Sequence, residues 1–192
     1  GNQGLLFGVR HKGIVRVSAN GTPELLARVE GDEQAHGPQL LPDGRHLLFT
    51  IATGTGSDRW EKARVVVQSL ASGERKPLLE NVTDARYVPT GHLVYAAREG
   101  VFAVAFDQRR REAVGRPVSM MAGVRRSHGG ATGAAQFSVS NTGSLIFVPG
   151  PITKGYQEIV VADRTGRLER LPLPPGPYTE VRASPDGRRI AI

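Results

Sequence analysis

The sequence predicts an all-β fold: a β-propeller, or part of one, made of four-stranded antiparallel blades, with about four to five blades in this chain. A turn dipeptide followed by a strand-forming run occurs four times, and its glycines at positions 44, 91, 143 and 187 are 47, 52 and 44 residues apart. Repeats of roughly 40–50 residues are typical of propeller blades. No segment keeps a helical period over about ten residues or more, which favours an all-β chain.

Each repeat is organised around a tight turn that joins its first two strands. The dipeptides are Asp43-Gly44, Thr90-Gly91, Thr142-Gly143 and Asp186-Gly187, and a β-branched or aromatic run follows each of them. Glycine adopts positive φ without steric cost, so these pairs predict hairpin turns. A second turn recurs between the third and fourth strands, at Asn20-Gly21, Ser72-Gly73 and Thr165-Gly166. The alternation of two turn types predicts a meander.

Taken in order, the apolar runs between these turns predict seventeen strands. Alternating apolar and polar residues, as in residues 13–18, indicate strands with one buried face. The predicted strands are residues 4–10, 13–18 and 24–29; 36–41, 46–51, 64–70 and 76–79; 84–88, 92–97, 101–106 and 117–122; 135–139, 145–148, 158–162 and 168–173; and 179–183 and 188–192. We therefore expect one propeller domain or fragment over residues 1–192, with units of about 4–30, 36–80, 84–123, 134–174 and 178–192.

The two ends of the chain do not divide into whole units. The first unit begins on a strand of the second type, and the last unit stops after its second strand. Two arrangements remain open. Residues 179–183 could supply the missing first strand of the N-terminal unit and close a ring, which would leave no sheet edge exposed. Alternatively, the chain is an excerpt of a larger propeller.

Composition excludes some classes of site and leaves others open. The chain has no cysteine, so a disulfide framework, a thiolate nucleophile and cysteine metal ligands are all excluded. The net charge is +7, but the basic residues are scattered, so a nucleic-acid partner is not favoured. No apolar run reaches membrane-spanning length, and the N-terminus lacks signal-peptide order. The five histidines show no metal spacing. We expect no metal and no cofactor.

The repeats also resemble a known group of proteins. Residues 41–50, 72–79 and 137–147 resemble the TolB-like, WD-repeat-like β-propellers of bacteria. More narrowly, they are similar to the C-terminal propeller region of bacterial serine/threonine protein kinases. This resemblance covers nearly the whole chain and implies a six-bladed ring, of which the chain would be about two thirds. It implies a module that binds proteins or small ligands. None of the catalytic motifs of the kinases is present.

The long connections of the predicted meander should gather at one face. They are residues 30–35, 53–63, 124–133, 149–157 and 174–178, whereas the short turns occupy the opposite face. Long loops on a rigid scaffold are where binding sites tend to lie. The residues of these loops that could contact a ligand are Asp32, Glu33, His36, Arg59, Trp60, Arg125, Arg126, His128, Lys154, Tyr156 and Tyr178.

Each of these candidates also has a structural interpretation. Trp60 is either an exposed contact beside Arg59 or a ring packed over the edge of a blade. The basic loop at residues 125–130 either binds an anion or is simply solvated. Asp32 and Glu33 form the one acid–histidine cluster, with His36, and an ordinary loop is the favoured interpretation because perturbed sites need burial.

The sequence alone therefore favours a non-catalytic binding or scaffolding propeller, such as a detached sensor region of a kinase-like receptor. No Gly-x-Ser-x-Gly elbow or other nucleophile motif is present. The alternatives are the propeller half of a prolyl-peptidase-like hydrolase and a propeller that binds an anionic polymer. The expected partners are a protein or small molecule on the long-loop face and a second copy through exposed blade edges. The compartment stays open: extracytoplasmic for a receptor sensor, cytoplasmic for a stand-alone bacterial chain.

Overall fold

The computed structural model describes residues 4–56, 58–98, 100–127, 132–150, 158–176, 178 and 180–192. These residues form seventeen strands in five antiparallel sheets. None of the described residues belongs to a helix of the length and apolarity needed to cross a membrane.

The sheets follow one another along the chain, and within each sheet the strands are neighbours in sequence order. The first sheet contains β1 (Leu5–Val9), β2 (Gly13–Val17) and β3 (Pro23–Arg28). The second contains β4 (Glu33–Leu40), β5 (His46–Thr53), β6 (Arg64–Ser69) and β7 (Arg75–Glu80). The third contains β8 (Thr83–Val88), β9 (His92–Ala97), β10 (Gly100–Asp107) and β11 (Glu112–Ala122). The fourth contains β12 (Phe137–Val139), β13 (Leu145–Phe147), β14 (Val160–Ala162) and β15 (Leu168–Arg170), and the fifth contains β16 (Arg182–Ala183) and β17 (Ile190–Ala191).

The predicted turn chemistry explains the meander. At the β4–β5 turn Gly44 has a φ of 66°, and the carboxylate of Asp43 accepts hydrogen bonds from the backbone N–H groups of Arg45 (2.9 Å) and His46 (3.1 Å). Asp186 caps the β16–β17 turn in the same way through the N–H of Arg188. These bonds form within each turn and so favour one register of the hairpin.

The core lies between the sheets rather than inside any one of them. Alternate residues of β5 point to opposite sides: Leu47, Phe49 and Ile51 pack with Ile14 of the first sheet, and Leu48 packs with the third sheet. The same alternation gives one apolar layer between the third and fourth sheets and another between the fourth and fifth. Every interior sheet is therefore buried on both faces, as propeller blades are.

The described residues form seventeen strands, as the sequence analysis predicted, but many strand ends differ, and two starts differ by three residues or more towards the N-terminus. β4 begins at Glu33 instead of residue 36, and β11 begins at Glu112 instead of residue 117. Ring closure within the chain is not seen in the described residues: β16 pairs with β17, whereas the first sheet holds only β1, β2 and β3. Val181 packs into the layer against the fourth sheet, which is why this segment stays there.

Gly8 sets the close approach of the first two sheets. A Cβ atom at this position would lie 2.3 Å from the carbonyl oxygen of Ala35, a backbone atom that cannot rotate away. We expect Gly8→Ala to destabilise the fold by about 1–3 kcal/mol through overpacking, measured by chemical denaturation. Gly91→Ala is the matched control, because its Cβ would meet open space and only its φ of 81° is unfavourable, at a cost of about 1–2 kcal/mol. If Gly8→Ala is as stable as the wild type, the close contact is not a constraint.

Candidate active site between the second and third sheets

Two equivalent β-bulges bring a histidine and an aspartate together at the long-loop face. The pairing of β4 with β5 shifts register between His36 and Gln39, and the pairing of β8 with β9 shifts between Thr83 and Arg86. A bulge bends the strand and redirects its side chains, and bulges are common beside active sites. Here they turn His36 and Asp84 towards each other across the boundary between two blades.

Asp84 is the centre of this cluster and is fully buried, with a side-chain exposure of 0%. Its Oδ1 lies 2.6 Å from Nη1 of Arg86 and 3.5 Å from Nε2 of His36, and its Oδ2 accepts a hydrogen bond from the backbone N–H of Ala135 (2.8 Å). Its own N–H donates to Oγ1 of the buried Thr50 (3.1 Å). Residues of three sheets or their connections therefore hold this one carboxylate.

The backbone of Asp84 is itself unusual, with a φ of 53°. Non-glycine residues in this region are strained, and such strain is concentrated at functional sites. Asparagine and aspartate tolerate the conformation better than other residues do. The opposing bulge carries Gly37, whose φ is 60° and whose missing Cβ would approach Oδ1 of Asp84 to 3.0 Å. The cluster thus needs a glycine on one strand and a small acidic residue on the other.

Asp84 stays ionised although burial opposes its charge. Desolvation raises the pKa of this carboxyl, but the guanidinium of Arg86, the imidazole of His36 and the N–H of Ala135 outweigh it, so that the pKa lies well below its ordinary value. Asp84 is therefore an anion at neutral pH. Its neighbour His36 keeps 20% of its side chain exposed, so part of the imidazole is accessible from the surface.

Trp60 forms one side of the cluster and is only 5% exposed. Its ring meets the edge of the His36 ring at a centroid distance of 5.7 Å, and the guanidinium carbon of Arg59 lies 5.6 Å from its centroid. Arg59 is oriented by Gln34, whose Oε1 accepts a hydrogen bond from its Nε (3.2 Å). Of the two interpretations from the sequence, the packed ring is the one observed. The Nε1 donor of Trp60 is buried and has no acceptor in the described ranges.

The connection before β12 covers the cluster. Thr83 donates a hydrogen bond from Oγ1 to the carbonyl of Gly133 (2.9 Å), and a Cβ at Gly133 would lie only 2.8 Å from the ring of Trp60. In the same connection Arg126 donates to the carbonyl of Arg98 (3.3 Å). Burial lowers the pKa of the Arg126 guanidinium, and the negative charges of Asp84 and Glu61 act in the opposite direction. Arg126 stays a cation next to the site.

The structure places Asp32, Glu33 and His36, the acid–histidine cluster named in the sequence analysis, in different surroundings. Glu33 pairs with Arg64 (3.2 Å) and Arg75 (3.0 Å), and Asp32 lies in the exposed turn before β4. His36 has Asp84 as its acidic partner, across the boundary between the second and third sheets. Asp84 and Arg86 are the site residues that the sequence analysis missed. The sequence feature that could have indicated them is the polar pair Thr83-Asp84 at the start of strand β8, whose other residues are mostly apolar.

The remaining candidates lie apart from this cluster or outside the described residues. Arg125 donates a hydrogen bond to the carbonyl of Tyr178 (3.4 Å), which places both at the junction of the fourth and fifth sheets. Tyr178 bonds through its hydroxyl to the carbonyl of Pro174. His128, Lys154 and Tyr156 lie outside the described residues. Within the described ranges, no three His, Asp or Glu side chains come close enough to hold a metal ion.

Comparison with known proteins identifies the fold. No protein-family model matches the sequence, and no curated protein matches it. Among solved structures, a calcium-binding regucalcin from Agrobacterium tumefaciens matches 99% of this chain and 64% of its own at 14% identity, with a TM-score of 0.64. An oligogalacturonate lyase in complex with manganese matches 96% of this chain and 54% of its own at 15% identity, with a TM-score of 0.60. A puromycin hydrolase matches 90% of this chain and 25% of its own at 20% identity, with a TM-score of 0.50.

The fold is a β-propeller, and these likenesses, with the repeated four-stranded sheets, establish it. The chain spans less than two thirds of the regucalcin and about half of the lyase. The similar structures also correct the function expected from the sequence. The expectation of a non-catalytic binding or scaffolding module, and with it that of a non-enzyme, is wrong, because the propellers of similar structure include a lyase and a hydrolase. The expectation rested on local motifs, whereas the His36–Asp84 cluster is assembled from two distant strands.

Proposed function

We propose that the chain is the catalytic part of a propeller enzyme of the hydrolase class, with His36 as its general acid–base residue. The observation that carries this proposal is the buried carboxylate of Asp84 beside the partly exposed imidazole of His36. A permanently charged acid next to a histidine stabilises the imidazolium that forms when the histidine takes a proton. The pair lies at the end of the blades where the long loops meet, the usual place for a site on a rigid scaffold.

The reaction that suits this arrangement is hydrolysis of an ester or lactone. Nε2 of His36 faces Asp84, which leaves Nδ1 to exchange protons with the substrate. Nδ1 takes a proton from water while the water oxygen bonds to the carbonyl carbon. The imidazolium then returns that proton to the departing alkoxide oxygen as the carbon–oxygen bond breaks.

Positive charge near His36 favours an anionic substrate. Arg126 lies beside the cluster, where the charge of Asp84 acts on it, and Arg59 stacks on Trp60. A guanidinium can bind a substrate carboxylate or stabilise the oxyanion that develops during hydrolysis. The oligogalacturonate lyase of similar fold takes an acidic saccharide by its name, which supports testing sugar acids and their lactones. The Pro-Asp-Gly repeats are the reason to relate the chain to TolB-like propellers.

The test is turnover by the wild type and by a His36→Gln variant. We expect the wild type to hydrolyse one of a set of aldonolactones, glucuronolactone and p-nitrophenyl esters, followed by proton release or nitrophenolate absorbance. His36→Gln should lower kcat/KM by about 10²–10⁴-fold, the contribution that a general acid–base residue makes. Arg126→Gln should raise KM for the acidic substrates more than for the neutral ones.

His92→Gln is the matched control for this experiment. His92 occupies the turn at the opposite face, where its Nδ1 lies 3.0 Å from the carbonyl of Thr90, so its loss should leave kcat/KM unchanged. Circular dichroism establishes that both variants are folded. Equal turnover by His36→Gln and the wild type, or no turnover of any of these substrates by the wild type, would contradict the proposal.

A further inference from the structure

The turn between β2 and β3 places an asparagine directly before an unhindered glycine. Oδ1 of Asn20 accepts hydrogen bonds from the hydroxyl of Ser18 and from the backbone N–H of Thr22 (3.1 Å). The next residue is Gly21, which has a φ of 81° and at which an added Cβ would meet no atom within 4 Å. All four residues of the turn are exposed. The asparagine is therefore held in a folded local conformation at the surface, beside a backbone nitrogen that carries no bulky neighbour.

The β16–β17 turn repeats this geometry with an aspartate. Ser184 donates from its hydroxyl to Oδ1 of Asp186, which also accepts the N–H of Arg188 (3.1 Å), and Gly187 follows with a φ of 68°. In both turns the glycine N–H donates to the carbonyl of the serine (2.9 Å). The turns differ in the group that carries Oδ1, an amide in the first and a carboxylate in the second. The fold thus already contains the shape that the β2–β3 turn would have with aspartate at position 20.

The amide of Asn20 is the more reactive of the two groups. A nucleophile adds more easily to an uncharged amide than to a carboxylate, whose charge repels it. Hydrogen bonds from Ser184 and Arg188 lower the pKa of Asp186, so this carboxylate is ionised at neutral pH. At Asn20 the same kind of donors has the opposite consequence, because they stabilise the negative charge that develops on Oδ1 when its carbon is attacked. The β2–β3 turn therefore favours attack at Asn20.

We propose that Asn20 is a site of self-modification, at which the chain converts its asparagine to aspartate and isoaspartate through a cyclic imide. The Gly21 nitrogen gives up its proton to hydroxide and bonds to Cγ of Asn20. The bond from Cγ to Nδ2 then breaks, and the amide group leaves as ammonia with a proton taken from water. A second water molecule adds to either carbonyl of the imide and opens the ring. The overall change consumes one water and releases one ammonia, and it is independent of the activity proposed for His36.

The two products affect the first sheet differently. Aspartate keeps the ordinary main chain and fits the turn seen at Asp186, so this product should be as stable as the original protein. Isoaspartate carries the main chain through its side-chain carbon and lengthens the turn by one methylene. The pairing of Val17 with Pro23 next to the turn then loses its register. We expect the isoaspartate form to have a weaker first hairpin, and either product to carry one more negative charge.

The first test is incubation of the folded protein at mildly alkaline pH, followed over time by peptide mapping and mass spectrometry. Asn81 and Asn141 are matched internal controls, since both are exposed but are followed by Val82 and Thr142. Because branched side chains crowd the backbone nitrogen, Asn20 should convert at least about tenfold faster than either control. The rate should rise with hydroxide concentration. Conversion of Asn81 or Asn141 as fast as that of Asn20, or an unchanged Asn20, would overturn the proposal.

Three variants test the mechanism. Asn20→Gln keeps an amide but would have to form a larger ring, so methylation by an isoaspartate-specific methyltransferase should increase with time in the wild type and not in this variant. Asn20→Asp should co-elute with one of the two products on ion exchange and match the wild type in urea denaturation. Ser18→Ala removes one donor to Oδ1 and should slow the conversion about fivefold, the factor that corresponds to one hydrogen bond. Isoaspartate formed equally fast in Asn20→Gln would place the reaction elsewhere, and an undiminished rate in Ser18→Ala would contradict the role of the donors.

Discussion

Asp84→Ala should destabilise the protein by about 3–5 kcal/mol, the cost of breaking a buried ion pair by removing one partner. The substitution leaves the guanidinium of Arg86 and the imidazole of His36 without their anion and removes the acceptor of the Ala135 N–H. Alanine is also less tolerant of the φ of 53° at this position. Equilibrium denaturation in urea measures the loss. A change below about 1 kcal/mol would mean that the cluster adds nothing beyond an ordinary surface pair.

Asp84→Asn removes the negative charge but keeps the shape of the side chain. The free energy of unfolding of the two proteins, measured against pH, then gives the contribution of the charge. The folded pKa of Asp84 is lowered, so its stabilising effect is fully present above the unfolded pKa of about 3.9 and is lost as pH falls towards the folded pKa. The part of the stability difference between the wild type and Asp84→Asn that comes from the ionised carboxylate should therefore shrink below about pH 4. The other carboxyls with lowered pKa values, such as Asp43 and Asp163, are present in both proteins and cancel. A difference that grows in acid would contradict the assignment.

Phe49→Ala should cost about 3–5 kcal/mol, the range for deleting a buried aromatic side chain. Phe49 is 1% exposed and lies in the apolar layer between the first and second sheets, with the guanidinium carbon of Arg75 at 5.7 Å from its ring centroid. The neighbouring sheets are held by their own hydrogen bonds, so the layer can close over the cavity only in part. The free energy of unfolding in urea is the measurement.

Leu168→Ala is the control for the core substitution. Leu168 is exposed on the outermost strand of the fourth sheet, and its truncation should change stability by no more than about 0.5 kcal/mol. If both variants lose the same stability, the layer between the first two sheets is not a packed core.

The fold could be predicted because its determinants are local. Asp43-Gly44 and Ser72-Gly73 specify turns within a few residues, and the runs beside them alternate with the period of a strand. Each hairpin is thus encoded in a short segment and does not depend on what packs against it. Strand ends were less predictable. Glu33 and Gln34 are polar, yet they extend β4 because β5 offers them backbone partners, which the sequence does not reveal.

The site could be predicted only in part, because it depends on the two β-bulges in β4 and β8, which the sequence does not reveal. The loop-borne members Arg59, Trp60 and Arg126 were among the candidates, since the meander places long connections at one face. The contact between His36 and Asp84 could not be predicted. The two residues are 48 positions apart in the sequence, and Asp84 lies in a β-bulge. Gly37, a glycine inside a strand pattern, was the feature that could have indicated the bulge.

Trp60 has a consequence for spectroscopy. It is the sole tryptophan of the chain, and its ring touches that of His36, so the intrinsic fluorescence comes from the boundary between two blades. Far-ultraviolet circular dichroism, in contrast, reports on all five sheets. Denaturation followed with both signals would reveal whether this boundary opens before the sheets melt or together with them. The emission also offers a label-free signal for ligands that reach His36.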